Sequence, residues 1–291
     1  MFKGSFVALI TPFRNGAVDE AAFQEHVAWQ IGQGTHGLVP IGTTGECPAL
    51  EEAEQERLIA LTAEVAKGRR PVIAGTGFNS TTHTIAATRT AKAAGADAAL
   101  IVCPYYNKPT QEGLYQHFKT VHDAVDLPIV IYNIPGRSAV DMSNATLARL
   151  AKLPNIVGVK DATNDLARPL RMRVEIDGEF SLMSGEDATA VAYLAQGGDG
   201  VISVTANVAP GLCSEMHEAW QKGDLATVRR INQRLIPLHD ALFVETSPAP
   251  VKYAASLLGR CTAEVRQPLW QTTPETQEKV RAAMRGAGLI N

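Results

Sequence analysis

The chain has 291 residues, of which 45% are apolar and 20% are charged, the balance of a protein with a large buried core. Its formal net charge of -3 excludes the basic surface typical of nucleic-acid binding and the polybasic strip that attracts proteins to membranes. We therefore expect small-molecule partners.

Eight short apolar runs recur along the chain, and each has the length and branched residues of a buried β-strand. Between them lie amphipathic segments, such as the one in which Leu114, Phe118 and Val121 share a helical face. The predicted strands are Phe6–Ile10, Gly37–Ile41, Pro71–Ala74, Ala98–Val102, Pro128–Tyr132, Ile156–Lys160, Phe180–Met183 and Gly200–Val204.

Residues that start and stop helices fall between these runs. The predicted N-caps are Asp19, Ser80, Thr110 and Ser143, and the predicted C-terminal stops are Gly34, Gly68 and Gly95. Eight βα units in a chain of this length predict a closed (β/α)8 barrel rather than an open sheet. A doubly wound fold would need a phosphate-binding first turn. The nearest candidate, GTGFNS at residues 75–80, follows the third strand and lacks the third glycine, so we interpret it as a βα loop.

Beyond Val204 the pattern is only helical. One helix suffices to close the barrel, so the others predict a helical appendage. We expect a barrel over residues 1–224 and a helical region packed on it over residues 225–291. The predicted helices are Gly211–Gln221, Leu225–Leu242, Pro248–Leu258 and Glu275–Gly286.

Four cysteines and the N-terminal segment bear on location. Cys47, Cys103, Cys213 and Cys261 form no CxxC pair and have no metal-ligand spacing, so neither a disulfide framework nor a zinc site is expected. The segment MFKGSFVALITPF has too short an apolar run for a signal peptide or a membrane span. These features predict a cytoplasmic protein with reduced thiols.

Lys160 closes the apolar run IVGVK and is the first candidate for chemistry. Removing water from an ammonium group is costly, so a lysine held against an apolar interior tends to lose its proton, and a neutral amine is a nucleophile. Such a lysine can form a Schiff base with a keto substrate. The alternative is a strand-end lysine that extends to solvent.

Barrel enzymes carry catalytic groups at the carboxyl ends of strands, and several polar side chains stand there. Tyr132 could move a proton to or from the imine, or could serve only in packing. Thr43 and Thr44 could relay a proton or bind a carboxylate, or could cap the next helix. The strand-end motifs are GTTGE at 42–46, CPYYNKP at 103–109, YNIPGR at 132–137 and SGED at 184–187.

Three further candidates lie in the loops after the strands. Tyr106, in a proline-flanked loop, could lie in the site or at a subunit contact. Arg137 follows the turn pair Pro135-Gly136 and could bind a substrate carboxylate through two hydrogen bonds, or could be an ordinary surface arginine. Gly185 could let the backbone approach a ligand, or could simply form a turn.

Other chemistries lack a signal in this sequence. There is no HExxH, GxSxG or Walker-type motif, and His117 and His122 are five residues apart, which does not place them on one helical face. We expect neither a metal nor an organic cofactor, because the lysine itself supplies the electron sink.

Taken together, GTTGE, PYYNKP, YNIPGR, GVKDAT and GVISVTAN resemble the dihydrodipicolinate synthase family of pyruvate-dependent class I aldolases, over essentially the whole chain. The resemblance implies that Lys160 forms an imine with pyruvate. It further implies a proton relay of Tyr132, Thr43 and Tyr106, the last reaching into the neighbouring subunit's site.

The same resemblance implies the substrate contacts and the assembly. Arg137 would bind the carboxylate of L-aspartate 4-semialdehyde, while Thr44 and the Ile202 backbone hold pyruvate. The product would be 4-hydroxy-tetrahydrodipicolinate, on the route to diaminopimelate and lysine. The implied assembly is a homotetramer built from tight dimers.

Comparison with related families favours one activity but leaves others open. N-acetylneuraminate lyases typically have serine in place of Thr43 and lack Arg137, so these two residues favour the synthase. Other aldolases or lyases acting on 2-keto sugar acids stay open, because second-substrate specificity depends on few residues. A non-catalytic barrel that binds a keto acid or serves as a scaffold is the alternative from another class.

One departure from the family concerns regulation. Members inhibited by lysine resemble one another in an interfacial cleft, and the corresponding positions here are Glu52, Gln55 and His83. In those members a glutamate contacts the amines of the bound lysine inhibitor. His83 stands at that position here, so a favourable charge contact is lost. We therefore predict weak or absent feedback inhibition by lysine.

Overall fold

The computed structural model describes residues 1–291 and contains ten β-strands and twelve α-helices. The strands are β1 (Gly4–Ala8), β2 (Phe13–Arg14), β3 (Ala17–Val18), β4 (Gly37–Val39), β5 (Ile73–Gly75), β6 (Ala98–Val102), β7 (Ile129–Asn133), β8 (Ile156–Asp161), β9 (Ser181–Ser184) and β10 (Gly200–Ser203). The helices are α1 (Glu20–Gly32), α2 (Glu52–Ala66), α3 (Thr81–Ala93), α4 (Gln111–Ala124), α5 (Pro135–Ser138), α6 (Asn144–Leu150), α7 (Arg168–Glu175), α8 (Ala190–Ala195), α9 (Pro210–Gln221), α10 (Leu225–Ala241), α11 (Ala249–Leu257) and α12 (Pro274–Gly286).

Eight strands form one sheet in the order β4-β1-β10-β9-β8-β7-β6-β5. The neighbours whose register is defined all run parallel. β4 and β5 stand at the two ends of this order, and the backbone N–H of Leu38 in β4 donates to the carbonyl of Pro71, just before β5, at 2.9 Å. The fold is the (β/α)8 barrel that the sequence predicts.

All eight predicted strands are confirmed, with ends that differ by at most two residues. Among the strands, the sequence analysis missed the short hairpin of β2 and β3, which pair antiparallel. Its turn is Asn15-Gly16, with φ of 54° and 83°. Asn-Gly is the preferred dipeptide where both turn residues need positive φ, so the signal was present in the sequence.

The predicted helix ends are confirmed as well. Each predicted N-cap side chain accepts a hydrogen bond from the backbone N–H three residues later, and this holds for Asp19, Ser80, Thr110 and Ser143. The predicted stops Gly34, Gly68 and Gly95 follow α1, α2 and α3 with φ of 91°, 71° and 94°. Glycine tolerates this left-handed backbone because it has no Cβ.

Pairing between β7 and β8 carries one irregularity. Ile129 lies opposite Ile156, but the next residue, Val130, lies opposite Gly158, so β8 contains one extra residue at this point. From there the register continues regularly to Tyr132 opposite Lys160. Gly158 fits because a Cβ at this position would lie 2.7 Å from the Ser181 carbonyl oxygen in β9.

The chain divides into two compact units, residues 1–3 with 72–202 and residues 4–71 with 203–291. The core of the first unit includes Ile101, Phe118, Ile131, Val159 and Leu182. In the second unit α10 packs on α9 and α12, and the four predicted C-terminal helices are confirmed. The boundary predicted at residue 224 stays a prediction. None of the helices has both the length and the continuous apolar run needed to cross a membrane.

Candidate active site

Lys160 and Tyr132 occupy directly paired positions on β8 and β7. Each side chain is only 6% exposed, and the Lys160 Nζ lies 4.2 Å from the centre of the Tyr132 ring. The alternative interpretation, in which Lys160 extends to solvent, is therefore wrong. An amine covered by an aromatic ring at a strand end is sheltered from bulk water and stands beside a phenol that can exchange protons.

A polar network that the sequence analysis did not find connects the residues just after this pair. Asn133 follows Tyr132, Asp161 follows Lys160, and the two lie opposite each other in the sheet. The Asn133 Nδ2 donates to Asp141 at 2.7 Å, and the Asn133 Oδ1 accepts from the Met142 backbone N–H at 3.1 Å. Successive residues of a strand point to opposite faces, so this network and the Lys160–Tyr132 pair lie on opposite faces of the sheet.

Arg168, at the start of α7, completes the network. Its Nη1 donates to Asp141 at 3.1 Å, its Nε lies 3.6 Å from the Asp161 carboxylate, and it also donates to the Met142 carbonyl. The Arg168 side chain is 9% exposed and that of Asp161 is 2% exposed. Buried charges need partners, and here the partners join the ends of β7 and β8 to the segment that contains Asp141. A polar residue directly after Tyr132 and another after Lys160 were the signals available in the sequence.

Two carboxyl groups near Lys160 have raised pKa values. Burial raises the pKa of Asp161, although the neighbouring Arg168 acts in the opposite direction. Burial also raises the pKa of Glu186, opposed by the charges of Lys160 and Arg137 and reinforced by Asp187. The charges of Lys160 and Arg137 therefore both act on the Glu186 carboxyl group. The sequence analysis named Glu186 only as part of SGED.

Gly185 has a structural reason to be glycine. Its backbone N–H donates to the Asp161 carbonyl at 2.7 Å, and a Cβ would lie 2.6 Å from the Cβ of Ala162. The loop after β9 thus packs so closely on the end of β8 that any side chain would force them apart. A role for Gly185 in binding substrate stays a prediction.

The predicted turn pair Pro135-Gly136 instead begins the one-turn helix α5, and Arg137 lies in the same helix. The difference arises because Pro135 takes the first helical position, where its missing N–H costs nothing. The Ser138 hydroxyl donates to the carbonyls of Ile134 and Val140, both at 2.9 Å, and fixes the helix to its surroundings. Arg137 itself is exposed, on α5, which follows the end of β7.

Tyr106 is 87% exposed, in the loop between β6 and α4. Its φ of 71° is unusual for a residue with a side chain, and Lys108 in the same loop has a φ of 47°. The loop is held by the Asn107 side chain, whose Nδ2 donates to the Asn79 carbonyl at 2.8 Å. So exposed a ring has little contact with its own subunit.

Thr43 and Thr44 lie in a tight turn after β4. The Gly45 N–H donates to the Gly42 carbonyl and the Glu46 N–H to the Thr43 carbonyl, each at 3.1 Å. Thr44 is 4% exposed. The alternative role as helix caps is wrong, because the short 3-10 helix Cys47–Ala49 that follows has Glu46 as its N-cap and α2 has Glu51.

The eight candidate residues divide between the two units. Thr43 and Thr44 belong to the second unit. Ile202, in β10, is 1% exposed and belongs to the first. The first unit also holds the remaining candidates: Lys160, Tyr132, Tyr106, Arg137 and Gly185.

Residues at the proposed regulatory positions are engaged within the chain or exposed. The Gln55 amide donates to the carbonyls of Cys47 at 3.2 Å and Leu50 at 3.1 Å. The His83 ring packs edge-on against Phe78 with a centroid distance of 6.3 Å, and Glu52 is exposed. Weak or absent lysine feedback stays a prediction.

Comparisons with known proteins extend over the whole chain. A model described as the dihydrodipicolinate synthetase family matches residues 1–287. The 4-hydroxy-tetrahydrodipicolinate synthases of Rhodospirillum centenum and Parvibaculum lavamentivorans are 68% and 60% identical to this chain, with 100% of both chains covered in each case. The crystal structure of the chloride-inhibited dihydrodipicolinate synthase from Acinetobacter baumannii, complexed with pyruvate, is 45% identical, covers 100% of each chain and has a TM-score of 0.97.

The raised pKa of Glu186 leads to a prediction about how the folding stability of the protein depends on pH. Its folded pKa lies above the ordinary value of 4.5, so between these two values the folded state holds the proton more tightly than the unfolded state. Wild-type stability is therefore lost as the pH rises through this interval, relative to a variant that cannot ionise. Glu186→Gln should gain in urea midpoint relative to wild type as the pH is raised from about 4 to about 7. Glu52→Gln, at an exposed glutamate, is the control, and a pH-independent difference for Glu186→Gln would contradict the assignment.

Proposed function

The chain belongs to the dihydrodipicolinate synthetase family, and we propose that it condenses pyruvate with L-aspartate 4-semialdehyde to 4-hydroxy-tetrahydrodipicolinate through an imine at Lys160. The observation that carries the proposal is the buried Lys160 amine, 4.2 Å from the centre of the Tyr132 ring. The similar Acinetobacter baumannii enzyme has been crystallised with pyruvate, which supports pyruvate as the first substrate.

The first half-reaction attaches pyruvate to the protein. In its unprotonated form the Lys160 amine adds to the keto carbon, the carbonyl oxygen leaves as water after taking up protons, and an imine forms. Loss of a proton from the pyruvate methyl group converts the imine into an enamine. The imine nitrogen accepts the electron pair from this carbon, which is the reason that a lysine suffices as the electron sink.

The second half-reaction forms the carbon–carbon bond and the ring. The enamine carbon attacks the aldehyde carbon of the semialdehyde, and the aldehyde oxygen takes up a proton to become the hydroxyl. The amino group of the semialdehyde then attacks the imine carbon. Its nitrogen replaces that of Lys160, so the ring closes and the lysine amine is released for another cycle.

Within this scheme, Tyr132, Thr43 and Tyr106 move the protons, and Thr44, Gly185 and the Ile202 backbone hold pyruvate. The close pairing of Tyr132 with Lys160 supports the first of these assignments. Thr43 and Thr44 cap no helix, which leaves their hydroxyls for substrate.

Arg137 is assigned to the carboxylate of the semialdehyde. A guanidinium group presents two parallel N–H donors that match a carboxylate. Its exposed position on α5, which follows the end of β7, fits a group that meets the second substrate as it enters.

Two other activities are less well supported. An aldolase or lyase for another 2-keto acid would use the same lysine, but the relative from Rhodospirillum centenum, 68% identical over the full length of both chains, is named 4-hydroxy-tetrahydrodipicolinate synthase. A non-catalytic scaffold or binding barrel needs a pocket but no buried nucleophile beside a tyrosine. The assay that separates these activities is turnover with aspartate semialdehyde, N-acetylneuraminate and 2-keto-3-deoxy sugar acids in parallel.

Assembly and location complete the proposal. Tyr106, 87% exposed on a loop with positive φ, fits a residue that completes the site of a partner subunit. We assign the protein to a dimer as the smallest active unit and to a tetramer of two such dimers. A cytoplasmic location is in keeping with four cysteines that are all present as thiols.

Loss of the Lys160 amine should abolish imine formation. Lys160→Ala should give no adduct when incubated with pyruvate and reduced with borohydride, and its turnover should fall at least ~1000-fold because the nucleophile is absent. Mass spectrometry of the intact protein and of its peptides measures the adduct. Lys152→Ala, at an exposed lysine, should retain both adduct and turnover. A pyruvate adduct that persists on another lysine of Lys160→Ala would refute the assignment.

Removal of the Arg137 guanidinium should affect the second substrate selectively. Arg137→Ala should lower kcat/KM for aspartate semialdehyde by ~10- to 100-fold, the loss expected for charge-assisted hydrogen bonds to a carboxylate. Borohydride trapping with pyruvate alone should be unchanged. Arg171→Ala, at an exposed arginine, is the control. An unchanged KM for the semialdehyde, or an equal loss of pyruvate trapping, would count against this role.

Tyr106 can be tested by mixing inactive subunits. Tyr106→Phe retains Lys160, and Lys160→Ala retains Tyr106, so a mixed dimer contains one complete site only if Tyr106 acts across the interface. Random pairing makes half of the dimers mixed, so co-refolding equal amounts should restore about a quarter of wild-type turnover. Activity no greater than the mean of the two parents would show that Tyr106 acts in its own subunit or not at all.

A further inference from the structure

Lys252 and Glu46 form a fully buried ion pair within the second unit, outside the residues assigned to chemistry. The Lys252 Nζ donates to the Glu46 Oε1 at 2.7 Å, and both side chains are 0% exposed. The Lys252 amine also lies 4.0 Å from the centre of the Phe13 ring. Lys252 comes from α11, whereas Glu46 is the last residue of GTTGE.

Stability alone is a poor explanation for such a pair. Removing two charges from water costs free energy that their attraction does not reliably return, and apolar residues of similar size often stabilise a fold equally well. Burial lowers the pKa of Lys252, against the opposing effect of Glu46. The best-documented role of a buried ion pair is to select one particular conformation of a protein.

The conformation that this pair can select is that of the turn bearing Thr43 and Thr44. The Glu46 N–H donates to the Thr43 carbonyl at 3.1 Å. Glu46 itself has a φ of 57°, a left-handed conformation that costs free energy for any residue with a Cβ. The Thr11 hydroxyl donates to the Gly45 carbonyl at 2.7 Å and holds the turn from its other side.

The second oxygen of Glu46 extends the connection. Its Oε2 accepts from the Arg266 backbone N–H at 2.9 Å. The Arg266 side chain in turn forms hydrogen bonds of 2.6 Å to both oxygens of Glu54 in α2. Both oxygens of the Glu46 carboxylate are therefore engaged, and the C-terminal region of the chain holds the turn on one side and the next helix on the other.

We propose that Lys252 and Glu46 are positioning residues that hold the Thr43–Thr44 turn in the conformation required to bind and process pyruvate. The proposal rests on the proposed function, because it assigns the consequence of the ion pair to the pyruvate half-reaction. Neither residue need touch substrate. The region beyond the barrel strands acquires a role in catalysis through this pair.

The test is the double variant Glu46→Gln with Lys252→Met, which removes both charges and leaves none unpaired. We expect a thermal midpoint close to that of wild type and a kcat/KM for pyruvate lower by up to ~100-fold, the size of effect expected when a reacting group is misplaced by about 1 Å. The KM for aspartate semialdehyde should change little. A purely structural role would lower the midpoint or the folded fraction and leave both KM values of the folded protein unchanged.

Two further variants keep the result decisive if the double variant does not fold. Glu46→Asp retains the charge but shortens the tether by one methylene, so it should fold and show the same selective loss for pyruvate. Glu275→Gln with Lys279→Met removes an exposed pair of the same 2.7 Å length in α12 and should leave all parameters unchanged. Wild-type kinetics for pyruvate in a folded Glu46→Asp or double variant would overturn the proposal.

Failure of the proposed function can be distinguished from failure of the positioning role. If the wild-type protein itself gives no borohydride adduct at Lys160 and no turnover with the semialdehyde, the reaction assigned to the site is wrong. If the wild-type protein shows both and the Glu46 and Lys252 variants match it, only the positioning role is wrong.

Discussion

The candidate site depends on the register between β7 and β8. Because β8 contains one extra residue between Ile156 and Gly158, Val130 lies opposite Gly158 and Tyr132 lies opposite Lys160. Without the extra residue, Tyr132 would face Val159, and Lys160 would lie opposite Asn133. Side chains alternate between faces along a strand, so a slip of one residue separates the two groups completely. An irregularity near the start of the strands thus determines which side chains meet at their ends.

The same register aligns the polar residues that follow, and these stabilise it in return. Asn133 and Asp161 can share the network of Asp141 and Arg168 only while they lie opposite each other. A slip would leave buried charges without partners, which is among the costliest errors a core can contain. The network therefore favours the register in which Tyr132 also lies opposite Lys160.

Local signals in the sequence were sufficient for the eight barrel strands and for the ends of several helices. Caps such as Asp19 and stops such as Gly34 depend on the chemistry of a few adjacent residues, so they could be located without the fold. The extra residue in β8 and the partnership of Arg168 with Asp161 could not, because both depend on contacts between strands and helices distant in sequence. The helical position of Arg137 was within reach, since a proline at the first helical position is itself a signal.

The candidate residues differ in how the fold holds them, and the difference follows the order of the proposed reaction. Lys160 and Tyr132 are buried and fixed by a hydrogen-bonded strand pair, while Arg137 is exposed on α5 and Tyr106 is exposed on a loop. An amine that must attack one carbonyl benefits from a rigid, dry position, because any freedom would have to be lost in the transition state. A group that meets the second substrate must let that substrate enter and the product leave, which requires contact with solvent. The rigid strand pair therefore suits the formation of the imine, and the exposed positions suit the steps that depend on a second molecule, whether that molecule is the semialdehyde or a partner subunit.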